Sequence, residues 1–149
     1  MSKTIIIAVI LIIVIGAGFL IYQSLTPTPK EESVSGEVYT HPVYGYSITI
    51  PEDWKGKYFV EEKDRIASFV YNSSSELKYN LFSIAVYPNN DWQQTKNEPG
   101  YHGNEITSKD NLVFVSVFSL DNPYVGDEGD EYQKMAGDVN NIINTFEFK

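Results

Sequence analysis

Two histidines are the side chains best suited to acid–base chemistry in this sequence. His41 precedes Pro42, and His102 lies in the segment PGYHGNE. Neither belongs to a nucleophile elbow or a zinc-binding helix, the local patterns that give histidine a catalytic role. We therefore expect no catalytic residues and predict that the chain is not an enzyme. Because a Ser-His-Asp triad is assembled in space and not along the chain, a hydrolase stays open as a distant alternative.

The acidic stretch DNPYVGDEGDEY, from Asp121 to Tyr132, offers the oxygen ligands that Ca²⁺ prefers. Its spacing does not fit an EF-hand, because the alternating acidic positions and the distal glutamate are out of place. The competing interpretation is a solvated turn whose Asp130 and Glu131 favour a helix N-terminus through the helix dipole. We therefore expect neither a metal site nor a cofactor. The chain has no cysteine, which excludes disulfides and thiolate metal sites.

Aromatic side chains near polar residues are the other candidates for binding. Trp92, Tyr101 and Tyr124 combine apolar area with a hydrogen-bonding group, so they suit stacking on sugars or on a partner surface. They equally suit ordinary half-buried positions. A domain that binds a small ligand, a glycan or a divalent cation is accordingly the first alternative function. Asn72, in the sequence NSS, also matches a glycosylation acceptor.

The stretch YGYSITIPEDW, from Tyr44 to Trp54, predicts a scaffold and not a ligand site. Its apolar residues alternate with Ser and Thr, which predicts a half-buried strand that Pro51 ends by withholding an amide donor. Trp54 is large enough to cover the end of a sheet while its indole N–H finds a carbonyl. The alternating apolar positions are Tyr46, Ile48 and Ile50.

Three further segments, RIASFVYN, NLFSIAVYP and NLVFVSVFSL, predict strands. The last runs from Asn111 to Leu120 and is apolar on both faces, so both faces must be covered. A stripe of apolar residues at spacings of three and four predicts a C-terminal helix, with Asp130 and Gln133 as a capping pair. A shorter helix is predicted near Asp91. The stripe contains Tyr132, Met135, Ala136, Val139, Ile142, Ile143 and Phe146.

An uncharged apolar run from Thr4 to Tyr22 is long enough, at ~1.5 Å per helical residue, to cross a hydrocarbon layer of about 30 Å. It lacks an Ala-x-Ala cleavage site, so we expect an uncleaved transmembrane helix that attaches the chain to the membrane. Lys3 places residues 1–3 in the cytoplasm by the positive-inside rule. Residues 23–37 predict a flexible extracytoplasmic linker, and residues 38–149 a single globular domain.

The formal net charge is −9, and all twenty acidic residues follow Lys30. Such a surface repels phosphate backbones and anionic lipids, so we expect no nucleic-acid binding, whereas basic proteins are favoured partners. Solubility alone is the competing explanation for the charge.

The segments HPVYGYSITIPEDWKGKY and MAGDVNNIINTFEFK resemble the first and last parts of the PsbP/Mog-like superfamily, which includes PsbP-like and DcrB-like domains. The resemblance covers residues 38–149 and rests on residues that form the fold. It implies an α/β (α+β) class, with an antiparallel β-sheet flanked by helices in an α/β/α sandwich, and an accessory or docking role. With the transmembrane helix, it predicts a membrane-anchored, extracytoplasmic, non-catalytic interaction module with a protein partner. The resemblance identifies no binding residues.

Overall fold

The computed structural model describes residues 35–149, which form a mixed α+β structure. The transmembrane helix expected from Thr4 to Tyr22, the cytoplasmic residues 1–3 and most of the expected linker lie outside this range. Within it, no helix has the length and apolar character needed to cross a membrane. The elements in chain order are β1 (Gly36–Thr40), β2 (Tyr46–Pro51), a 3-10 helix (Glu52–Trp54), β3 (Tyr58–Lys63), β4 (Ile66–Tyr71), β5 (Asn80–Pro88), α1 (Asn89–Thr95), β6 (Gly103–Lys109), β7 (Leu112–Phe118), α2 (Gly126–Ile143) and β8 (Glu147–Phe148).

The described strands form two antiparallel sheets, whereas the resemblance to the PsbP/Mog-like superfamily implied one. The three-stranded sheet has the order β1-β2-β8, and the five-stranded sheet has the order β3-β4-β5-β7-β6. Strand β2 cannot join the larger sheet because β1 and β8 occupy both of its hydrogen-bonding edges. Its polar Ser47 is buried along with the alternating apolar residues, so β2 is covered on both faces and is not half-buried as expected.

One large core joins the two sheets and the long helix α2. The rings of Phe69 on β4 and Phe82 on β5 stack face to face, with their centroids 4.3 Å apart. The stripe predicted for the C-terminal helix is confirmed from Tyr132 to Ile143, which supply the helical part of this core; Phe146 also packs there but follows the end of the helix. Fully buried members include Tyr46, Ile48, Ile50 and Trp54 from the first sheet region, and Tyr132, Met135, Val139 and Ile142 from α2.

A smaller core lies on the opposite face of the five-stranded sheet. Val113 and Val115 of β7 pack there against Trp92 of α1, with the half-buried Tyr87 and Tyr101 beside them. The other face of β7 contributes Phe114 to the large core. The prediction that β7 must be covered on both faces is therefore confirmed.

The elements outside the apolar segments differ from expectation. Strand β1 begins at Gly36, inside the segment expected to be a linker. The sequence pattern did not predict β1, β3 or β6 as strands. Strands β1 and β6 are mostly polar and exposed, and β3 is half-buried over Tyr58–Val60 and exposed over the rest, so none has the buried alternation that identifies a strand in sequence. Helix α2 begins at Gly126, a turn before the predicted capping pair, and its first turn has no side-chain cap.

Candidate functional site

Two loops of the described chain lie together at the N-terminal end of α2. One joins β4 to β5 and the other joins β7 to α2. The hydroxyl of Tyr124 donates to the carbonyl oxygen of Leu77 at 3.0 Å, and the rings of Tyr79 and Tyr124 lie 6.0 Å apart. Residues 73–79 and 119–127 form one continuous feature, called the loop surface below.

Glu128 fixes the first loop to α2. Its carboxylate accepts hydrogen bonds from the Ser73 hydroxyl (2.8 Å) and from the Ser74 amide (2.9 Å). These bonds lower the pKa of Glu128, so its carboxylate stays charged at neutral pH. The loop thus has a defined position although it contains three consecutive serines.

The second loop is packed against the first turn of α2. The Asn122 side chain donates to the Gly129 carbonyl at 2.8 Å and accepts from the Tyr124 amide at 3.1 Å. A Cβ atom at Gly129 would lie 2.7 Å from the Tyr124 carbonyl oxygen, so glycine permits this close approach. Both halves of the loop surface are therefore held by side chains and backbone of the same helix end.

Exposed apolar side chains concentrate on the loop surface. The exposed fractions are 57% for Leu77, 39% for Tyr79, 70% for Leu120 and 89% for Val125. These are four of the seven large hydrophobic side chains that are exposed among residues 35–149. Because single exposed apolar residues are ordinary but their concentration is not, this surface is the best candidate for a protein contact in the described chain.

Exposed carboxylates share the two loops with these apolar side chains. They are Glu76, Asp121 and Asp127. The one lysine of the loops, Lys78, has its ammonium group hydrogen-bonded to the Ser73 carbonyl at 2.7 Å. Protein interfaces usually combine apolar and charged side chains, and the free charges of these loops are acidic.

The acidic stretch considered for Ca²⁺ uses its central carboxylates for internal contacts. Glu131 accepts from Tyr71 at 2.7 Å and pairs with Lys57 at 2.9 Å, and these contacts lower its pKa. Glu128 is turned toward Ser73. Across residues 35–149 the structure brings no three His, Asp or Glu side chains into a group that could hold a metal ion.

The two histidines lie in different surroundings. His41 is buried, and its Nδ1 accepts from the Val43 amide (3.1 Å) and the Tyr44 amide (3.3 Å), so it organises the turn between β1 and β2. Burial lowers the pKa of His41 and keeps the imidazole neutral. His102 is exposed in the loop before β6.

The aromatic residues singled out in the sequence pack inward. Trp92 is buried in the smaller core, and its indole N–H donates to Glu105 at 2.8 Å. Tyr101 is half-buried and donates to the Tyr87 hydroxyl at 3.1 Å. Tyr124 is buried beneath the loop surface, where its ring supports the exposed residues. The three rings do not share one site: Trp92 and Tyr101 belong to the smaller core and Tyr124 to the large one.

Trp54 and Asn72 also take structural positions. Trp54 is fully buried, and its indole N–H faces an Asp138 carboxylate oxygen at 3.4 Å, where a carbonyl partner was expected. Its burial, with that of Tyr46, fits the scaffold interpretation of the stretch from Tyr44 to Trp54. Asn72 is exposed, with its side-chain amide donating to the Gly56 carbonyl at 3.2 Å.

Sequence reasoning missed the exposed members of the loop surface. Leu77 and Val125 are isolated apolar residues in polar segments, where periodicity has nothing to detect. Leu120 was expected to be covered as the last residue of a strand, but that strand ends at Phe118 and Leu120 is exposed. Only the pairing of the two loops in space brings them together.

Comparison of the chain with protein-family models, with curated proteins and with solved structures gave no match.

Proposed function

We propose that this protein is a non-catalytic accessory module that binds a protein partner through the loop surface. The observation that carries the proposal is that Leu77, Tyr79, Leu120 and Val125 are all exposed in two adjoining loops that also carry exposed carboxylates. An apolar centre gains free energy when a partner removes it from water, and the carboxylates favour a partner with a basic rim. The rigid support from α2 reduces the entropy lost on binding.

The cellular setting of the proposal is the outer side of a membrane. The apolar run from Thr4 to Tyr22 would anchor the chain there. A tethered module of this kind meets partners that are themselves at the membrane or outside it.

The fold that we propose for residues 38–149 is the α/β/α sandwich of the PsbP/Mog-like superfamily. Helices α1 and α2 contribute to cores on opposite faces of the five-stranded sheet, which supports this assignment. The short strand β8 after the last helix also agrees with the resemblance of the C-terminal segment. The accessory role of such relatives is consistent with the proposed function.

Site-specific photo-crosslinking tests the proposed function. A photoreactive phenylalanine analogue at Val125 in intact producing cells is expected to yield a discrete protein adduct. The matched control is Val43, a 77% exposed valine in the turn between β1 and β2, where the same probe is expected to give none. The double substitution L77D/L120D should abolish the adduct, because charge in the apolar centre opposes its burial. Equal adducts from Val125 and Val43 would contradict the proposal.

A further inference from the structure

The turn between β1 and β2 is built around a buried imidazole. His41 is 4% exposed, and its Nδ1 atom accepts hydrogen bonds from the amides of Val43 (3.1 Å) and Tyr44 (3.3 Å). A ring nitrogen that accepts a hydrogen bond carries no proton, so the hydrogen of the neutral ring lies on Nε2. The closed turn therefore requires the neutral form of His41.

The backbone of the same turn joins three strands. The Gly45 amide donates to the His41 carbonyl at 3.0 Å, and the His41 amide donates to the Tyr46 carbonyl at 2.9 Å. The Gly45 carbonyl in turn accepts from the amide of Lys149, the residue directly after β8, at 3.1 Å. A change in the turn is therefore felt by β1, β2 and the end of β8.

Three tyrosine rings lie beside the imidazole. Their centroids are 6.4 Å (Tyr39), 5.0 Å (Tyr44) and 5.1 Å (Tyr46) from that of His41. Burial raises the pKa values of Tyr39 and Tyr46, so neither hydroxyl supplies a negative charge to the imidazole. A protonated His41 would therefore be surrounded mainly by neutral aromatic side chains, which solvate a cation less well than water does.

Two charged side chains reach this region from neighbouring strands. The Glu62 carboxylate of β3 accepts a hydrogen bond from the Tyr39 hydroxyl at 2.6 Å, and its charge favours protonation of His41. The Lys149 ammonium donates to the hydroxyl of Thr40, the residue before His41, at 3.2 Å. Burial outweighs the charge of Glu62, so the pKa of His41 is lowered.

We propose that the β1–β2 turn is a pH-sensitive switch that opens when His41 takes up a proton at Nδ1. The new N–H then faces the amides of Val43 and Tyr44, so three donors point at one another and no acceptor remains. The imidazole leaves the turn, because water solvates its charge better than the surrounding rings do. The hydrogen bond between Gly45 and His41 is lost with it. The switch involves no residue of the loop surface and does not depend on the proposed function.

The working range of the switch follows from the two states of the turn. In the open turn the imidazole is solvated and has its ordinary pKa of about 6.5. In the closed turn its pKa is lower. The equilibrium constant for opening therefore rises as the pH falls below about 6.5, by at most about tenfold per pH unit for one proton. The rise ends at the pKa of the closed form.

Amide hydrogen exchange of the full-length chain in a neutral detergent, followed by NMR, measures the opening. Between pH 7.5 and 5.5, the protection factors of the Val43, Tyr44 and Gly45 amides are expected to fall several-fold, at most about tenfold. The Asn72 amide, bonded to the Lys57 carbonyl at 2.8 Å, is the reference and should keep its protection. The nitrogen shifts of the His41 ring should show an unprotonated Nδ1 at pH 7.5.

Three substitutions identify the group that controls the opening. H41N keeps an oxygen acceptor for the Val43 amide but takes up no proton, so protection of the turn should no longer depend on pH. E62Q removes a charge that favours protonation of His41, so the turn should open at a lower pH. H102N should behave like the unchanged protein, because His102 is exposed in another loop.

Each contrary result overturns the proposal. A proton on Nδ1 at pH 7.5, or constant protection of the Val43 and Tyr44 amides, shows that His41 does not control the turn. Constant protection of Gly45 shows that the ring moves without opening the turn. An equal loss at Asn72 indicates loosening of the whole fold. If H41N does not fold, E62Q provides the test, because its amide oxygen can still accept from Tyr39.

Discussion

At the residue scale, the buried tyrosine hydroxyls differ in whether they have a hydrogen-bond partner. The Tyr132 hydroxyl donates to the Asn80 carbonyl at 2.7 Å. The Tyr46 hydroxyl is fully buried and has no hydrogen-bond partner among the described residues. Its neighbour Tyr39 donates instead to Glu62 at 2.6 Å. Burial raises the pKa of Tyr46, so its hydroxyl stays protonated at neutral pH.

This contrast gives a paired prediction for stability. Y46F is expected to raise the free energy of unfolding by about 1 kcal/mol, because it removes a polar group that lost its water on folding. Y132F is expected to lower it by about 1 kcal/mol, because the Asn80 carbonyl loses its hydroxyl donor. Urea unfolding of both variants checks the signs, and a destabilising Y46F would show that its hydroxyl has a partner.

At the element scale, the first turn of α2 supports the loop surface. Two glycines within this helix have different roles. Gly129 lies against the Tyr124 carbonyl, whereas an added Cβ at Gly137 meets nothing within 4 Å.

The two glycines predict opposite effects of the same substitution. G137A is expected to stabilise the protein by about 1 kcal/mol, because alanine has the higher helix propensity and the position is exposed. G129A is expected to destabilise it by about 1–3 kcal/mol, because the added methyl group must displace backbone. Thermal unfolding of the pair provides the measurement. Stabilisation by G129A would show that the second loop is not packed against α2.

At the scale of the whole molecule, stability depends on pH through two kinds of group, a buried histidine and carboxylates paired with lysines. His41 has a lowered pKa because it is buried, although the charge of Glu62 opposes this shift. Asp53, bonded to Lys134, and Glu131, bonded to Lys57, also have lowered pKa values. These carboxylates contribute stability that is lost only below their ordinary pKa values of about 4. The two classes therefore act in separate pH ranges.

The pH dependence of His41 can be isolated by substitution. The unfolded chain binds a proton near pH 6.5 more readily than the folded chain, so the free energy of unfolding falls as the pH drops from 7.5 to 5.5. In H41N, whose side-chain oxygen can still accept the Val43 amide, this fall should be smaller. H102N is the control, because His102 is exposed. Identical pH profiles for H41N and the unchanged protein would contradict the assignment.

Much of the fold follows from the sequence wherever burial is regular. Strand β5 has the bounds that its apolar run predicts, and the stripe of α2 faces the core. The edge strands β3 and β6 were not predicted, because their strand conformation depends on pairing with the adjacent strands β4 and β7 more than on their own side chains. The prediction of a capping pair at Asp130 was wrong, because the helix already begins at Gly126 and no side chain caps its first turn.

The candidate site also combines properties that the sequence predicts with an arrangement that depends on the fold. The sequence by itself determined an acidic chain with an apolar N-terminal run, no cysteine chemistry and a core rich in aromatic residues. The fold decides where Leu77 is exposed, because a hydrogen bond from the buried Tyr124, 47 positions away in the sequence, joins its loop to the second loop. The spacing of apolar residues along a segment predicts which side chains that segment buries in the core. A binding surface is formed by exposed side chains of segments far apart in sequence, and their spacing does not predict it.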